Sequence, residues 1–305
     1  MRHPAAYKPD FGRVVLLQNH TNESQRLARE CEDELRSSKL GLPVTTLTTL
    51  PGGQSPNNEL LSKKLEEGDL VAGIFGDGTI RDILLALRDK PFISLKGGNA
   101  RDFGSATHRN PDAPPSELIQ KSVAIGARVL SWTASNGGVV IAHEQAVSYI
   151  GHGETAMGSV RMASDAYRGR PKGMHRDWDL GLASINSTLR FQATDNAGKE
   201  WDVSDLSFSK GRRMAKLGRI PVDHWDPYFH LTPFGTSKTA KWLTAGGLFI
   251  GHPPGTSYEA YGFTVHQEIP VHFDGDPPVT IPAESHIQVG LGQEYTLMTT
   301  RLKAA

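Results

Sequence analysis

One cysteine, Cys31, occurs in 305 residues. An internal disulfide is therefore excluded, and a reducing compartment is implied. Charge of either sign is not in excess: 33 Lys and Arg balance 33 Asp and Glu. Overall charge thus directs the protein to neither nucleic acid nor an acidic partner. No apolar run approaches the ~20 residues that a membrane-spanning helix needs. The Met1 region, with Arg2, His3, Lys8 and Asp10, predicts no secretory signal. The expectation is a soluble, cytoplasmic protein that is at most peripheral at a membrane. Catalytic signatures are missing as well. There is no G-x-x-x-x-G-K-[ST] phosphate loop and no G-x-S-x-G nucleophile elbow. Gly151, Gly153 and Gly158 have the wrong final spacing for a dinucleotide fingerprint. None of the 12 histidines lies four residues from another or beside Cys31, so zinc is not expected.

What is present is an ordinary globular composition, 38% hydrophobic and 22% charged. The length suits two domains of roughly 100–200 residues each. Val14 to Leu17 reads as a buried strand ending at Asn19. Leu27, Cys31 and Leu35 recur every four residues and predict an amphipathic helix from about 22 to 38, with Cys31 on its packed face. Val44 to Leu47 is a second strand, and Ser55-Pro56 opens a second helix that Gly68 closes. Residues 70–75 form a third strand, followed by Gly76-Asp77-Gly78-Thr79 and a helix carrying Ile80, Ile83, Leu84 and Leu87. A short strand, Phe92 to Leu95, precedes a second glycine loop over 96–104, and a helix is predicted over 115–128. Such alternation predicts an α/β layer with a parallel sheet, whose ligands bind at the carboxyl ends of the strands.

Beyond Trp132 the period changes to two, as in Ile269, Val271 and Phe273 and again in Ile287, Val289 and Leu291. Turn residues at 195–198, at Gly246-Gly247, at 253–255 and at 275–278 divide these runs, and 154–168 reads as an intervening helix. The predicted fold is an α/β nucleotide domain over 1–131, then a mainly antiparallel β-sandwich over 132–305, with the last strand free to return to the first domain.

Glycines at 76 and 78 allow close backbone approach to a ligand, and the helix N-terminus behind them points unpaired N–H groups at an anion. Asp77 suits a phosphate there only if a divalent cation or a proton transfer is involved. Together with Gly97-Gly98-Asn99-Ala100-Arg101-Asp102-Phe103, this turn resembles the diacylglycerol kinase catalytic-domain family, which includes soluble bacterial lipid kinases and sphingosine kinases. The resemblance extends to Asn19 ending the first strand, to Thr48-Thr49-Leu50-Pro51-Gly52, and to Phe273-Asp274-Gly275-Asp276, in the family's order.

That resemblance implies ATP-dependent phosphorylation of a lipid hydroxyl, with Mg²⁺. Gly76, Asp77, Gly78 and Thr79 would wrap the phosphates, Thr48 and Asn19 would add hydrogen bonds, and Gly97, Gly98 and Asn99 would form the second loop. Asp77 would help hold Mg²⁺. Asp276 stands at the proton-acceptor position with Asp274 beside it, and which of the two is the base stays open. Phe75 replaces the family's first glycine, which narrows the backbone's approach at that point. Arg81 and Arg101 replace asparagines, and Lys96 stands where proline is common. Added guanidinium groups can clamp phosphate bidentately, or they can mark a site that has turned to another ligand. Two other readings are kept: an NAD kinase, which shares a Gly-Asp-Gly loop, and a catalytically silent nucleotide- or lipid-binding protein.

Two basic stretches, Arg168-Gly-Arg170-Pro-Lys172 and Lys210 to Arg219, are read as solvated loops or as contacts to a transient anionic membrane surface. Oligomeric state has no sequence signal.

Overall fold

The computed structural model describes residues 6–50, 54–87, 90–95, 102–164, 174–214, 218–274 and 276–302. In its first part strands and helices alternate: β1 (Arg13–Gln18), α1 (Asn22–Ser37), β2 (Val44–Thr48), α2 (Gln54–Lys64), β3 (Asp69–Ile74), α3 (Asp77–Leu87), β4 (Phe92–Ser94), α4 (Asp102–Thr107) and α5 (Pro115–Lys121). The four strands are parallel in the order β2-β1-β3-β4. A parallel sheet must be covered on both faces, which is why its strands are apolar almost throughout. Val15, Leu17, Val71 and Phe75 face Leu61 of α2 and Ile80, Ile83, Leu84 and Leu87 of α3. Val14, Leu16, Leu70, Ala72 and Ile74 face Leu27, Ala28, Cys31 and Leu35 of α1. Cys31 is therefore a core residue. Thr21 starts α1 by accepting the Ser24 N–H, an N-cap bond.

The expected helix over 115–128 is corrected. α5 ends at Lys121 and β5 (Val123–Asn136) begins two residues later. Ile125, Ala127 and Val129 alternate into the core, and a long antiparallel ladder with β17 (Ser285–Thr299) outweighs local helical preference. The sequence division at 131/132 lies inside β5.

The chain continues through β6 (Val139–Ala146), β7 (Tyr149–Gly153), α6 (Glu154–Ala163), α7 (Met174–Asn186), β8 (Phe191–Asp195) and β9 (Glu200–Ser209). Next come β10 (Arg213–Met214), β11 (Gly218–Arg219), β12 (Phe229–Gly235), α8 (Lys238–Ile250), β13 (Thr256–Tyr258), β14 (Ala260–Val265), β15 (Ile269–Phe273) and β16 (Val279–Ile281), before β17. Pairing among these strands is antiparallel, and the end of β17 also lies parallel to β4, with Leu297 opposite Phe92. Trp132, Ile150, Phe208, Phe263, Val271, Phe273, Ile287 and Val289 form the core of this β-rich part. An α/β part with a parallel sheet thus precedes a largely antiparallel β-rich part. Gly246-Gly247, expected in a turn, instead lies within α8. That helix stops at Gly251, whose left-handed φ of 89° suits a residue without Cβ. Among the described residues no helix is long and apolar enough to cross a membrane.

Candidate functional site

β1, β2 and β3 end at one edge of the sheet, because Gln18 is in register with both Thr48 and Ile74. Asn19, Thr48 and Gly76 are thereby brought together where β1 lies between β2 and β3, the position at which such sheets bind ligands. Asn19 Oδ1 accepts from the Thr21 N–H at 3.0 Å and the Thr21 hydroxyl at 2.7 Å, so its amide nitrogen is the end able to donate to a ligand. Thr48 Oγ1 accepts from Gln18 Nε2 at 3.0 Å and keeps its own hydrogen to donate.

α3 begins at Asp77, and Gly76 O accepts its first helical bond, from the Ile80 N–H at 3.2 Å. The segment read as a loop is therefore the start and first turn of the helix. Its leading N–H groups lie too early in the helix for an intrahelical partner and can receive an anion. Phe75 does not narrow this approach: its ring is 2% exposed and packs into the core beneath α3. Room for that ring comes from Gly73, where a Cβ would stand 2.7 Å from Phe92 Cζ and 3.0 Å from Phe75 Cε2.

Gly97, Gly98, Asn99, Arg101 and Lys96 lie outside the described residues, as does the Asp77 side chain. The segment after the second loop is anchored. His108 Nε2 lies 3.1 Å from Ser94 O at the end of β4, and burial pushes its imidazole down to about 4.

The two aspartates after β15 have different surroundings. Asp274 is buried at a left-handed φ of 52°, and its carboxylate accepts the N–H groups of Val147 (2.7 Å), Ser148 (2.8 Å) and Tyr149 (3.0 Å). Burial pushes its carboxyl up to about 6, against the opposite pull of those three N–H bonds and of Arg81. It clamps the β6–β7 connection to the end of β15. The Asp276 side chain is 37% exposed, with Oδ2 2.6 Å from Arg81 Nη1. Its backbone is fixed on both sides: its N–H donates to Phe273 O at 3.0 Å, and its carbonyl accepts from Ser159 Oγ of α6 at 3.2 Å.

Arg81, singled out as a phosphate clamp, also contacts Asp82 Oδ1 through Nε at 3.2 Å and Nη2 at 3.1 Å. Burial raises the Asp82 carboxyl, and the guanidinium opposes that shift. Asp82 escaped the sequence reading, although its place beside an arginine within the first helical turns was a signal. Arg81 thus links the helix behind the phosphate-binding turn to the Asp276 segment.

No protein-family model matches the sequence, and a comparison with curated proteins finds no match. Solved structures are. The crystal structure of a diacylglycerol kinase from Bacillus anthracis str. Sterne superposes with a TM-score of 0.59 at 13% identity, covering 95% of this chain and 97% of that one. Two further structures, named as a candidate diacylglycerol kinase from the same organism, give TM-scores of 0.66 and 0.64. They are 15% and 14% identical and cover 96% and 95% of this chain and 98% of each neighbour. The chain has the diacylglycerol kinase fold. In that fold the sequence motifs at Asn19, Thr48 and Gly76 share one sheet edge, and Arg81 joins that region to Asp276.

Proposed function

We propose that the protein is an ATP-dependent lipid kinase that transfers the γ-phosphoryl group to a hydroxyl of a diacylglycerol- or sphingoid-like lipid. The observation that carries this reading is the Arg81–Asp276 contact, which puts a carboxylate of the β-rich part beside the anion-receptive start of α3. Phosphoryl transfer asks a protein mainly for positioning and charge neutralisation. Helix N–H groups at Gly76–Thr79 and the donors of Asn19 and Thr48 suit a polyphosphate, while Arg81, paired with both Asp82 and Asp276, ties that turn to the carboxylate that would face the acceptor.

ATP with Mg²⁺ would supply the activated phosphoryl group and neutralise part of its charge. Gly76, Gly78 and Thr79 would hold the phosphates, with Gly97, Gly98, Asn99 and Arg101 from the second loop. Asp77 would carry the metal. Asp276 would orient the acceptor hydroxyl and take its proton. Asp274, saturated by three N–H groups, would hold that segment in place rather than act as the base.

Incubation with ATP, Mg²⁺ and a panel of lipid alcohols tests the reading. Labelled phospholipid is expected from the wild type and not from Asp77→Ala. No product above that variant contradicts it. Phosphorylation of NAD alone would indicate an NAD kinase, and ATP binding by calorimetry without turnover would indicate a silent binding protein.

A further inference from the structure

α8 is built inside out. Its inner positions are Lys241, Thr244 and Leu248, all buried. Lys241 Nζ donates to Ser187 O at 2.7 Å and Ser184 O at 3.4 Å, capping the carbonyls at the end of α7. Its outer positions are Trp242, Leu243, Phe249 and Ile250, which are 45%, 71%, 65% and 64% exposed. With Gly246 they follow the spacing i, i+1, i+4, i+7 and i+8, a single stripe along the helix. A soluble chain that buries lysine and exposes leucine, phenylalanine and isoleucine on one helix has a surface meant to be covered.

The rim of the stripe is cationic. Arg219 lies against the helix end, with its Cβ and Cδ 3.5 and 3.7 Å from where Gly251 would carry a Cβ. Arg213 faces Arg219 across the β10–β11 ladder, and Lys238 is exposed at the other end of α8. No aspartate or glutamate occurs between Asp226 and Glu259. A second copy of the chain meeting this stripe across a two-fold axis would bring identical cationic rims together, which disfavours self-association.

We propose that the outer face of α8 docks on an anionic lipid bilayer, its apolar side chains in the headgroup–acyl boundary and Arg213, Arg219 and Lys238 over anionic headgroups. This is the physics of an interfacial amphipathic helix flanked by basic residues. The choice of a bilayer over a soluble partner rests on the lipid-kinase reading. The second basic stretch, Arg168 to Lys172, lies outside the described residues, as does Lys216.

Vesicle co-sedimentation without nucleotide tests the proposal. The full chain should pellet with vesicles of phosphatidylcholine and phosphatidylglycerol and much less with phosphatidylcholine alone. Leu243→Ser combined with Phe249→Ser should lower the partition coefficient at least about tenfold, and Leu243→Ser alone should lower it less. Arg213→Gln with Arg219→Gln should remove the preference for anionic vesicles. A wild type that stays in the supernatant, or a double serine variant that binds like the wild type, overturns the proposal. So does a dimer in solution that the serine substitutions split, which would assign the face to a second copy. Phosphoryl transfer to a short-chain, water-soluble acceptor should be the same in the wild type and the serine variants. Its failure in a wild type that binds vesicles would count against the kinase reading alone.

Discussion

Arg81 Nη1 stands 2.6 Å from Asp276 Oδ2, a contact between α3 and the segment after β15. The same guanidinium holds Asp82, so one cation serves two carboxylates, and the Arg81 side chain is only 17% exposed.

Arg81→Gln should therefore destabilise the protein by about 1–3 kcal/mol, below the 3–5 kcal/mol typical of breaking a fully buried pair. Asp82, whose carboxyl burial already pushes upward, loses its counter-ion in that variant. A double-mutant cycle with Asp276→Asn, read by urea unfolding, should give a coupling of about 0.5–3 kcal/mol. Strict additivity would show that the contact carries no energy.

Asp274→Asn should be a stability variant. Asparagine tolerates the left-handed backbone that Asp274 adopts, so the change isolates the carboxylate. An amide presents one acceptor and one NH₂ group to the three N–H donors of Val147, Ser148 and Tyr149. We expect a loss of about 2–4 kcal/mol, a drop in Tm on the order of 5–15 °C. An unchanged Tm would refute the clamp.

Gly73→Ala places a methyl 2.7 Å from Phe92 Cζ and 3.0 Å from Phe75 Cε2. Overpacking of this kind costs about 1–3 kcal/mol. The site lies three residues before Gly76, and one of the rings it meets, Phe75, is the neighbour of Gly76, so ATP binding by calorimetry should weaken together with stability.

Stability should fall on acidification below about pH 6.5. Burial pushes the imidazoles of His108 and His152 down to about 4 and those of His224 and His272 down to about 3. Neutral in the fold, they become charged on unfolding below the ordinary value of about 6.5; their contribution is present above that value and is lost as pH falls toward the folded values. Asp205 and Asp274, pushed up by burial to about 7 and about 6, act in the opposite sense. Their contribution is complete below the ordinary carboxyl range and is lost as pH rises through 6 to 7. The His230 imidazole is lowered and the Asp82 carboxyl raised by burial as well. Five lowered imidazoles thus outnumber three raised carboxyls among the described residues, so stability should rise between about pH 4.5 and 6.5, by about 1.4 kcal/mol per pH unit for each uncompensated group. Both ring nitrogens of His272 are buried without a hydrogen-bond partner among the described residues, so His272→Phe should flatten the slope by one group. Urea midpoints at pH 5 and pH 6.5 check both statements.

The N-terminal layer was legible because its strands are buried on both faces and its helices carry long-spaced apolar positions, as at Leu27, Cys31 and Leu35. The alternation of Ile269, Val271 and Phe273 located β15 for the same reason. β5 was not legible from residue 123, because its pairing partner in β17 lies more than 150 residues away and leaves no local trace. α8 was hidden by its inverted face: Lys241 is buried where period analysis expects an apolar residue, and the glycine pair imitates a turn. At the site, the motif residues could be named but not their partners. The three N–H groups that distinguish Asp274 from Asp276 come from residues 147–149, and no spacing rule joins those to 274.

The most direct test of the account is the turnover of Asp276→Asn with ATP, Mg²⁺ and a lipid alcohol that the wild type phosphorylates. Loss of a group that orients and deprotonates the acceptor should lower kcat by about 10²–10⁴-fold, with ATP affinity close to that of the wild type and Tm lowered only by what the Arg81 contact contributes. A variant that keeps wild-type turnover would contradict the assignment of Asp276 as the base.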